Sequence, residues 1–394
     1  MKSLSVDLLT KYLAMCLRLG LRVEELVDSY FGPKEIVELV SKEHPKPLGE
    51  ILVDLEELKK GILSEPFDEM RKTFMVKQVT ALQSTARERM GVITPYREYV
   101  SRTLDIEAKD VREQDISELR RSLETLLRKK GYQGNLADML KEFKKRRLVS
   151  GERLRDIFNN LVDEARSQTR KVFNLPPGEQ VDLTVVEDMP WSSDNKYFGN
   201  YRSLIRLNTS VPVTSTSLPI SITHQIYPGH HTEHIVKESE LLSTRNEMEA
   251  SIILVNTPQS TMSEGLAETS RKFILGEPAM VEDRIQQFDA KLRRALRVNA
   301  ALMIYEKRLN TEDARQYFIE EGVYDEKESE RGMRFVLDPL WRTYIFTFYD
   351  GERIVSDAWK RARESGKEEQ FLQVLYKEEN CPTTFKEKTK KLFS

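Results

Sequence analysis

The sequence predicts a mainly α-helical protein, with two lobes around a cleft and a small β element placed directly before a histidine cluster. Three observations carry this. Apolar residues recur at helical spacing over most of the chain, as in the stripe Leu8, Leu9, Tyr12, Leu13, Cys16 and Leu17. Two short alternating segments, 181–186 and 201–208, interrupt that texture just after Asn174-Leu175-Pro176-Pro177-Gly178. The length of 394 residues, 39% of them hydrophobic, suits one large domain or two lobes sharing a cleft and excludes wholesale disorder.

Taken in order, the first helical stretch ends at Tyr30-Phe31-Gly32-Pro33, where Gly-Pro stops a helix. Further helical runs read at 47–60, 66–90, 108–130 and 135–148, and another follows Ser150-Gly151 as far as Phe173. The basic run Lys144-Lys145-Arg146-Arg147 reads as the solvated end of a helix, favoured there by the helix dipole. The Pro-Pro-Gly break near residue 174 predicts a boundary between an N-terminal helical lobe, 1–173, and a lobe carrying the chemistry, 174–394. After it, 181–186 alternates like a strand, 189–200 reads as a loop rich in Pro, Trp, Ser and Asp, and 201–208 reads as a second strand. From Leu241 the pattern is helical to the end, with turns near Gly276-Glu277-Pro278 and Asp338-Pro339. No period of 20–50 residues repeats, so a solenoid is excluded.

Charge narrows the function classes. Charged residues make up 32% of the chain, but 62 Lys and Arg nearly cancel 64 Asp and Glu. Such a balance provides no global attraction to nucleic acid or to an anionic membrane. Two cysteines, Cys16 and Cys381, form neither a disulfide framework nor a thiolate zinc motif. The first 21 residues lack an uninterrupted apolar core of a signal peptide, and no stretch approaches 18 apolar residues. A reducing, cytoplasmic location is the expectation.

The chemistry is concentrated in one place. Of five histidines, four fall within the string His224-Gln225-Ile226-Tyr227-Pro228-Gly229-His230-His231-Thr232-Glu233-His234. Neutral imidazoles are the commonest nitrogen ligands of zinc, and a catalytic zinc takes three protein ligands. His224 and His230 are six apart with Pro228 between them, so a helix holding both must kink or bulge. A second arrangement lies in the same string: His230-x-x-Glu233-His234 matches the inverted zinc pattern, with Glu233 as base. Downstream, Glu264 and Glu268 are four apart on one predicted helix face, in Ser263-Glu264-Gly265-Leu266-Ala267-Glu268. A carboxylate there suits a third ligand, and the small residues beside it let another helix approach.

At these residues the chain resembles the prokaryotic "domain of unknown function 885" family, which is similar to helical zinc metallopeptidases of the thimet-oligopeptidase and thermostable-carboxypeptidase type. The resemblance covers most of the chain. It rests above all on Tyr227-Pro228-Gly229-His230-His231, with Tyr30-Phe31-Gly32-Pro33, Pro190-Trp191, Gly199-Asn200-Tyr201-Arg202-Ser203, Glu264-Gly265-x-Ala267 and Arg334-Phe335 with Pro339 in support. It implies a zinc ion held by His224, by His230 or His231, and by Glu264, and it disfavours the inverted pattern. It implies a hydrolase acting on short peptides in the cleft.

One departure bears on activity. The family motif begins His-Glu, whereas this chain has His224-Gln225. In zinc peptidases that Glu accepts a proton from water and passes it to the leaving amine, which Gln cannot do. Glu233, Glu268, Tyr344 and Tyr349 are the expected substitutes, and Arg334 is the expected clamp for a substrate carboxylate. The segment 203–208 is expected as an exposed sheet edge along which a peptide lies. A metal- and peptide-binding protein without turnover is the alternative expectation.

Overall fold

The computed structural model describes residues 2–149, 152–189, 191–306, 308–321 and 324–394. The Ser150-Gly151 break and Pro190 of the Pro190-Trp191 pair lie outside them. Over these residues the protein is mainly helical. Helices at Lys2–Gly20, Leu48–Ser64, Glu69–Arg89, Glu113–Lys129, Leu136–Lys145 and Glu152–Thr169 follow the apolar spacing closely. Their ends have local causes. Asp68, for example, caps Glu69–Arg89 by accepting from the backbone N–H groups of Met70 and Arg71, each at 3.0 Å. Two short helices, Lys34–Lys42 and Tyr96–Leu104, escape the sequence reading. At nine residues each they are too short to be stable alone and depend on tertiary burial. Tyr96, Tyr99, Val100 and Leu104 are buried.

Five short strands complete the fold: β1 Val27–Tyr30, β2 Gln180–Val186, β3 Ser193–Tyr197, β4 Arg202–Asn208 and β5 Ile252–Leu254. β1 pairs antiparallel with β5, and a three-stranded sheet runs β2-β4-β3, with β2 parallel and β3 antiparallel to β4. Four expectations need correction here. The segment ending at Tyr30-Phe31-Gly32-Pro33 is not helical to that point: the first helix stops at Gly20 and β1 follows. The stretch after Leu241 is not helical throughout, because β5 lies within it. The segment 189–200 is not all loop, because β3 lies within it. The strand 202–208 is not an edge, because β4 is central and β3 takes the edge. Ser193-Asp194-Asn195-Lys196-Tyr197 is too polar to signal a strand, and pairing to β4 overrides that.

Three hydrophobic cores hold the molecule, and each takes residues from both sides of the break at 174. One joins Leu13, Leu55 and Leu82 to Ile252, Leu254 and Leu340. A second joins Leu123, Leu127 and Phe143 to Leu292, Leu296, Phe318 and Phe346. The third joins Phe158 and Val162 to Ile205, Leu207, Ile222 and Tyr227. The Pro-Pro-Gly segment therefore marks a change of texture rather than a division between cores. Among the described residues no helix is long and apolar enough to cross a membrane. A cavity of about 630 Å³ opens between the cores. It is walled by β3, by the helices Ser217–Gln225, His230–Lys237, Pro258–Leu275 and Val281–Tyr305, and by aromatic residues of 335–348.

Candidate metal centre

The histidine string folds as two helices with a tight link. The first, Ser217–Gln225, ends on His224-Gln225; the second starts at His230, and Gly229 is its N-terminal neighbour. The kink expected from Pro228 is thus a complete break. Gly229 is required there: a Cβ on it would lie 1.8 Å from the His224 carbonyl oxygen. The reversal turns two histidines six apart toward each other, with ring centroids 4.8 Å apart and planes at 85°.

Glu264 meets them from the helix Pro258–Leu275, whose start is fixed by Pro258 and a Thr257–Ser260 capping box. The helix comes close to the π-helical turn Thr347–Gly351 because both contact positions are glycine. A Cβ on Gly265 would lie 2.4 Å from the Gly351 carbonyl oxygen. The expected reason for small residues after Glu264 therefore holds. That approach also brings Tyr344 to Glu264, to which its hydroxyl donates at 2.5 Å.

Donor atoms of His224, His230 and Glu264 all lie within 4.8 Å of one another. His224 Nε2 is 3.4 Å from Glu264 Oε2, and His230 Nε2 is 3.7 Å from Oε1. The opposite face of each ring is backed by an acid. His224 Nδ1 is 3.4 Å from Glu268, and His230 Nδ1 is 3.7 Å from Glu233 and 3.2 Å from the Ser263 hydroxyl. Imidazoles that hold a metal through one nitrogen characteristically give the other to a carboxylate, which fixes tautomer and ring orientation. Glu264 Oε2 is buried without a hydrogen-bond donor. An orphaned carboxylate oxygen facing two imidazole nitrogens is a donor set that fits a divalent ion with nitrogen and oxygen preference.

The charges in this cluster are strongly coupled. Burial pushes the His230 imidazole down, but Glu264 and Glu233 outweigh it and raise the ring to about 10. Burial raises the Glu264 and Glu233 carboxyls, yet His230 beside Glu264 and Lys237 beside Glu233 hold both well below the usual carboxylate range. His234 is lowered to about 3 by burial and stays neutral. A metal binding here would have to displace a proton from His230.

The other expected residues fall in different places. His231 is not with the cluster. It is fully buried, with Nδ1 at 2.8 Å from the Ser203 hydroxyl and Nε2 at 3.3 Å from Glu179. The connectivity is that of a Ser-His-acid triad, but none of the three lines the central cavity. With Tyr227 and Arg166 also on Glu179, they brace β4 to the helix His230–Lys237. His230 therefore takes the position that sequence left open between His230 and His231. Adjacent helical residues point about 100° apart, so both could not enter the cluster. His234 stacks on His230 with centroids 5.9 Å apart but is outside the donor group.

Glu233 and Glu268 line the cavity but are committed. Glu233 accepts from Lys237 at 2.9 Å and from Ser263 at 2.5 Å, and Glu268 accepts from Arg294 at 2.5 Å. Each stands behind a histidine, on the far side from Glu264. Gln225 lines the cavity, and its amide nitrogen donates to the Ser193 carbonyl on β3 at 3.0 Å. What remains to Gln225 is a carbonyl oxygen, an acceptor with no proton to give. Tyr344 lines the cavity, whereas Tyr349 does not. Arg334 is exposed and does not line the cavity, which removes it as a clamp. Residues of the same helix that do line it are Glu328, Arg331 and Phe335, at i, i+3 and i+7 on one face; Arg334 projects from another.

Sequence reasoning missed Ser263, Lys237, Glu179, Arg294, Arg297 and Arg331. Only Ser263 carried a signal, its place beside Glu264. The arginines belong to charge-rich helices that read as solvated.

No protein-family model matches the sequence, and no curated protein matches it. The fold is similar to two solved structures. One, described as a "putative lipoprotein" from Colwellia psychrerythraea, superposes with a TM-score of 0.60 at 14% identity, covering 91% of this chain and 69% of that one. The other, described as a "putative lipoprotein of unknown function" from Shewanella oneidensis, gives a TM-score of 0.54 at 14% identity, covering 88% and 73%. At this identity the likeness is one of fold alone.

Proposed function

We propose that this protein is a zinc-dependent, peptidase-like hydrolase of the "domain of unknown function 885" type, acting on short peptides or small amides and esters in the central cavity. The observation that carries the reading is the orientation of the two imidazoles: both turn Nε2 to Glu264 and Nδ1 to a carboxylate. A divalent ion held by His224, His230 and Glu264 supplies Lewis acidity for hydrolysis. Tyr344 lines the cavity, and its hydroxyl, which donates its one proton to Glu264, would be free to serve a developing oxyanion only once a metal takes that carboxylate.

An extended ligand fits beside β3. The bonds of Asn208 N–H to Ser192 and of Phe198 N–H to Arg202 assign the even-numbered residues of this stretch to β4. By the antiparallel alternation, main-chain groups of Ser193, Asn195 and Tyr197 face away from β4. Ser193, Asn195 and Gln225 line the cavity together, which supports main-chain recognition of a peptide there. A cytoplasmic location belongs to the same reading and rests on two buried, free cysteines.

The second reading, a metal- and peptide-binding protein without turnover, is favoured by Gln225 and by the commitment of Glu233 and Glu268 behind the histidines. One experiment addresses the metal and separates the two histidine patterns. Zinc content is measured in the wild type, His224→Ala, Glu264→Ala and His234→Gln. The proposal expects one ion in the wild type and in His234→Gln, and none in the other two. Equal content in all four refutes it, and loss only in His234→Gln restores the inverted pattern.

A further inference from the structure

Five cations line the cavity from the helices Leu136–Lys145, Val281–Tyr305 and Glu326–Leu337, and three of them are already neutralised. Arg294 is held by Glu268 and Glu352. Lys144 and Arg293 share Asp289 and Glu328. Arg297 and Arg331 differ: both line the cavity, and among the described residues neither forms an ion pair. Arg297 Nε is buried without an acceptor, and its guanidinium sits 6.0 Å from the Phe335 ring. Phe335 is one turn along the helix from Arg331. Arg331 is thus on the same face of its helix as the ring that Arg297 approaches. Phe335 in turn packs against Trp341 and Phe348, with centroids at 5.5 and 6.3 Å.

The Arg297 Nε, buried without an acceptor, is a donor whose desolvation is uncompensated until an anion arrives. A carboxylate matches the guanidinium fork, and the aromatic wall beside it matches an apolar group on the same ligand. The location is close to the metal cluster. Arg297 is one turn beyond Arg294, a rise of about 4.5 Å, and Arg294 holds the acid behind His224. We propose that Arg297 and Arg331 form a subsite for a free carboxylate carried next to an apolar side chain, within about one or two extended residues of the His224–His230–Glu264 cluster. The inference rests on the reading of this cavity as the substrate site and narrows its substrate to small acids.

The test compares N-acetyl-L-phenylalanine with its amide by titration calorimetry, on zinc-loaded and on chelated protein, with zinc content measured on the same samples. A charge-assisted clamp predicts that the acid binds about ten- to a hundredfold tighter than the amide. Arg297→Met and Arg331→Met should each bring that ratio down severalfold. Acid and amide binding alike, or no binding of either, overturns the subsite, as does phenyl phosphate binding tighter than the acid. A preference that survives in chelated protein, with no zinc found in any sample, keeps the subsite and removes the metal reading. Zinc present with no preference removes the subsite and keeps the metal. The acid-to-amide comparison needs only the wild type, so it stands even if a variant fails to fold.

Discussion

Glu268→Gln tests the metal geometry without touching a ligand. Glu268 Oε1 lies 3.4 Å from His224 Nδ1, on the face of the ring away from Glu264. Its other oxygen accepts from Arg294 at 2.5 Å. Glutamine keeps the size and removes the charge, so His224 loses the acid that orients its ring. Arg294 keeps a second partner, Glu352, at 3.7 Å, which limits the cost to folding. Loss of such a backing group typically weakens metal binding about 10–100-fold, or about 1.4–2.8 kcal/mol. The assay is zinc competition against a chelating dye, with thermal melting of the chelated protein alongside. The expected result is a tenfold or greater loss of zinc affinity with nearly unchanged melting. Unchanged affinity refutes the assignment of His224 Nε2 to the metal. A fall in melting with unchanged affinity assigns Glu268 a purely structural role.

Gln225→Glu should raise peptide hydrolysis about 10²–10⁴-fold if the missing acid limits turnover, at equal zinc content; a zinc-loaded variant inert across a broad short-peptide library favours the binding protein without turnover. Gly265→Ala places a methyl 2.4 Å from the Gly351 carbonyl oxygen, a backbone atom that cannot yield cheaply. It should cost about 1–3 kcal/mol of stability and weaken zinc binding by moving Glu264; unchanged melting and zinc titration would show that the two segments separate freely. Burial raises the Glu328 carboxyl, but Arg293 and Lys144 win and hold it at about 2, below its ordinary 4.5. A lowered carboxyl contributes stability that is complete above about pH 4.5 and is lost as pH falls toward 2, roughly 3 kcal/mol at most. Glu328→Gln should therefore lose less stability than the wild type over that window, and parallel acid-melting curves would contradict this.

Composition and apolar spacing were enough for the helical class, because amphipathic periodicity is local. The ends of the long helices were legible less sharply: the run read at 108–130 is Glu113–Lys129, and the first helix stops at Gly20 rather than at Gly32-Pro33. Clustering was enough to single out the histidine string, since four of five histidines in eleven positions is a feature of the chain itself. Placement of β3 was not legible: a polar five-residue segment becomes a strand only when β4 is there to pair with it.

The choice among His230, His231 and His234 required the tertiary structure. All three are near in sequence to Glu233, but only the reversal at Pro228-Gly229 decides which ring turns to His224. His231 was then drawn away by a buried acid 52 positions earlier, Glu179. The same reason governs the cavity cations. Arg334 and Arg331 differ by less than one helical turn, and each lies close in sequence to the buried Met333 and Phe335, so spacing alone does not tell which reaches the cavity. Whether Arg297 and Arg331 lack a counter-ion depends on where every other acid on that wall has been spent. That is settled by contacts between segments far apart in the chain, where the sequence carries no local signal.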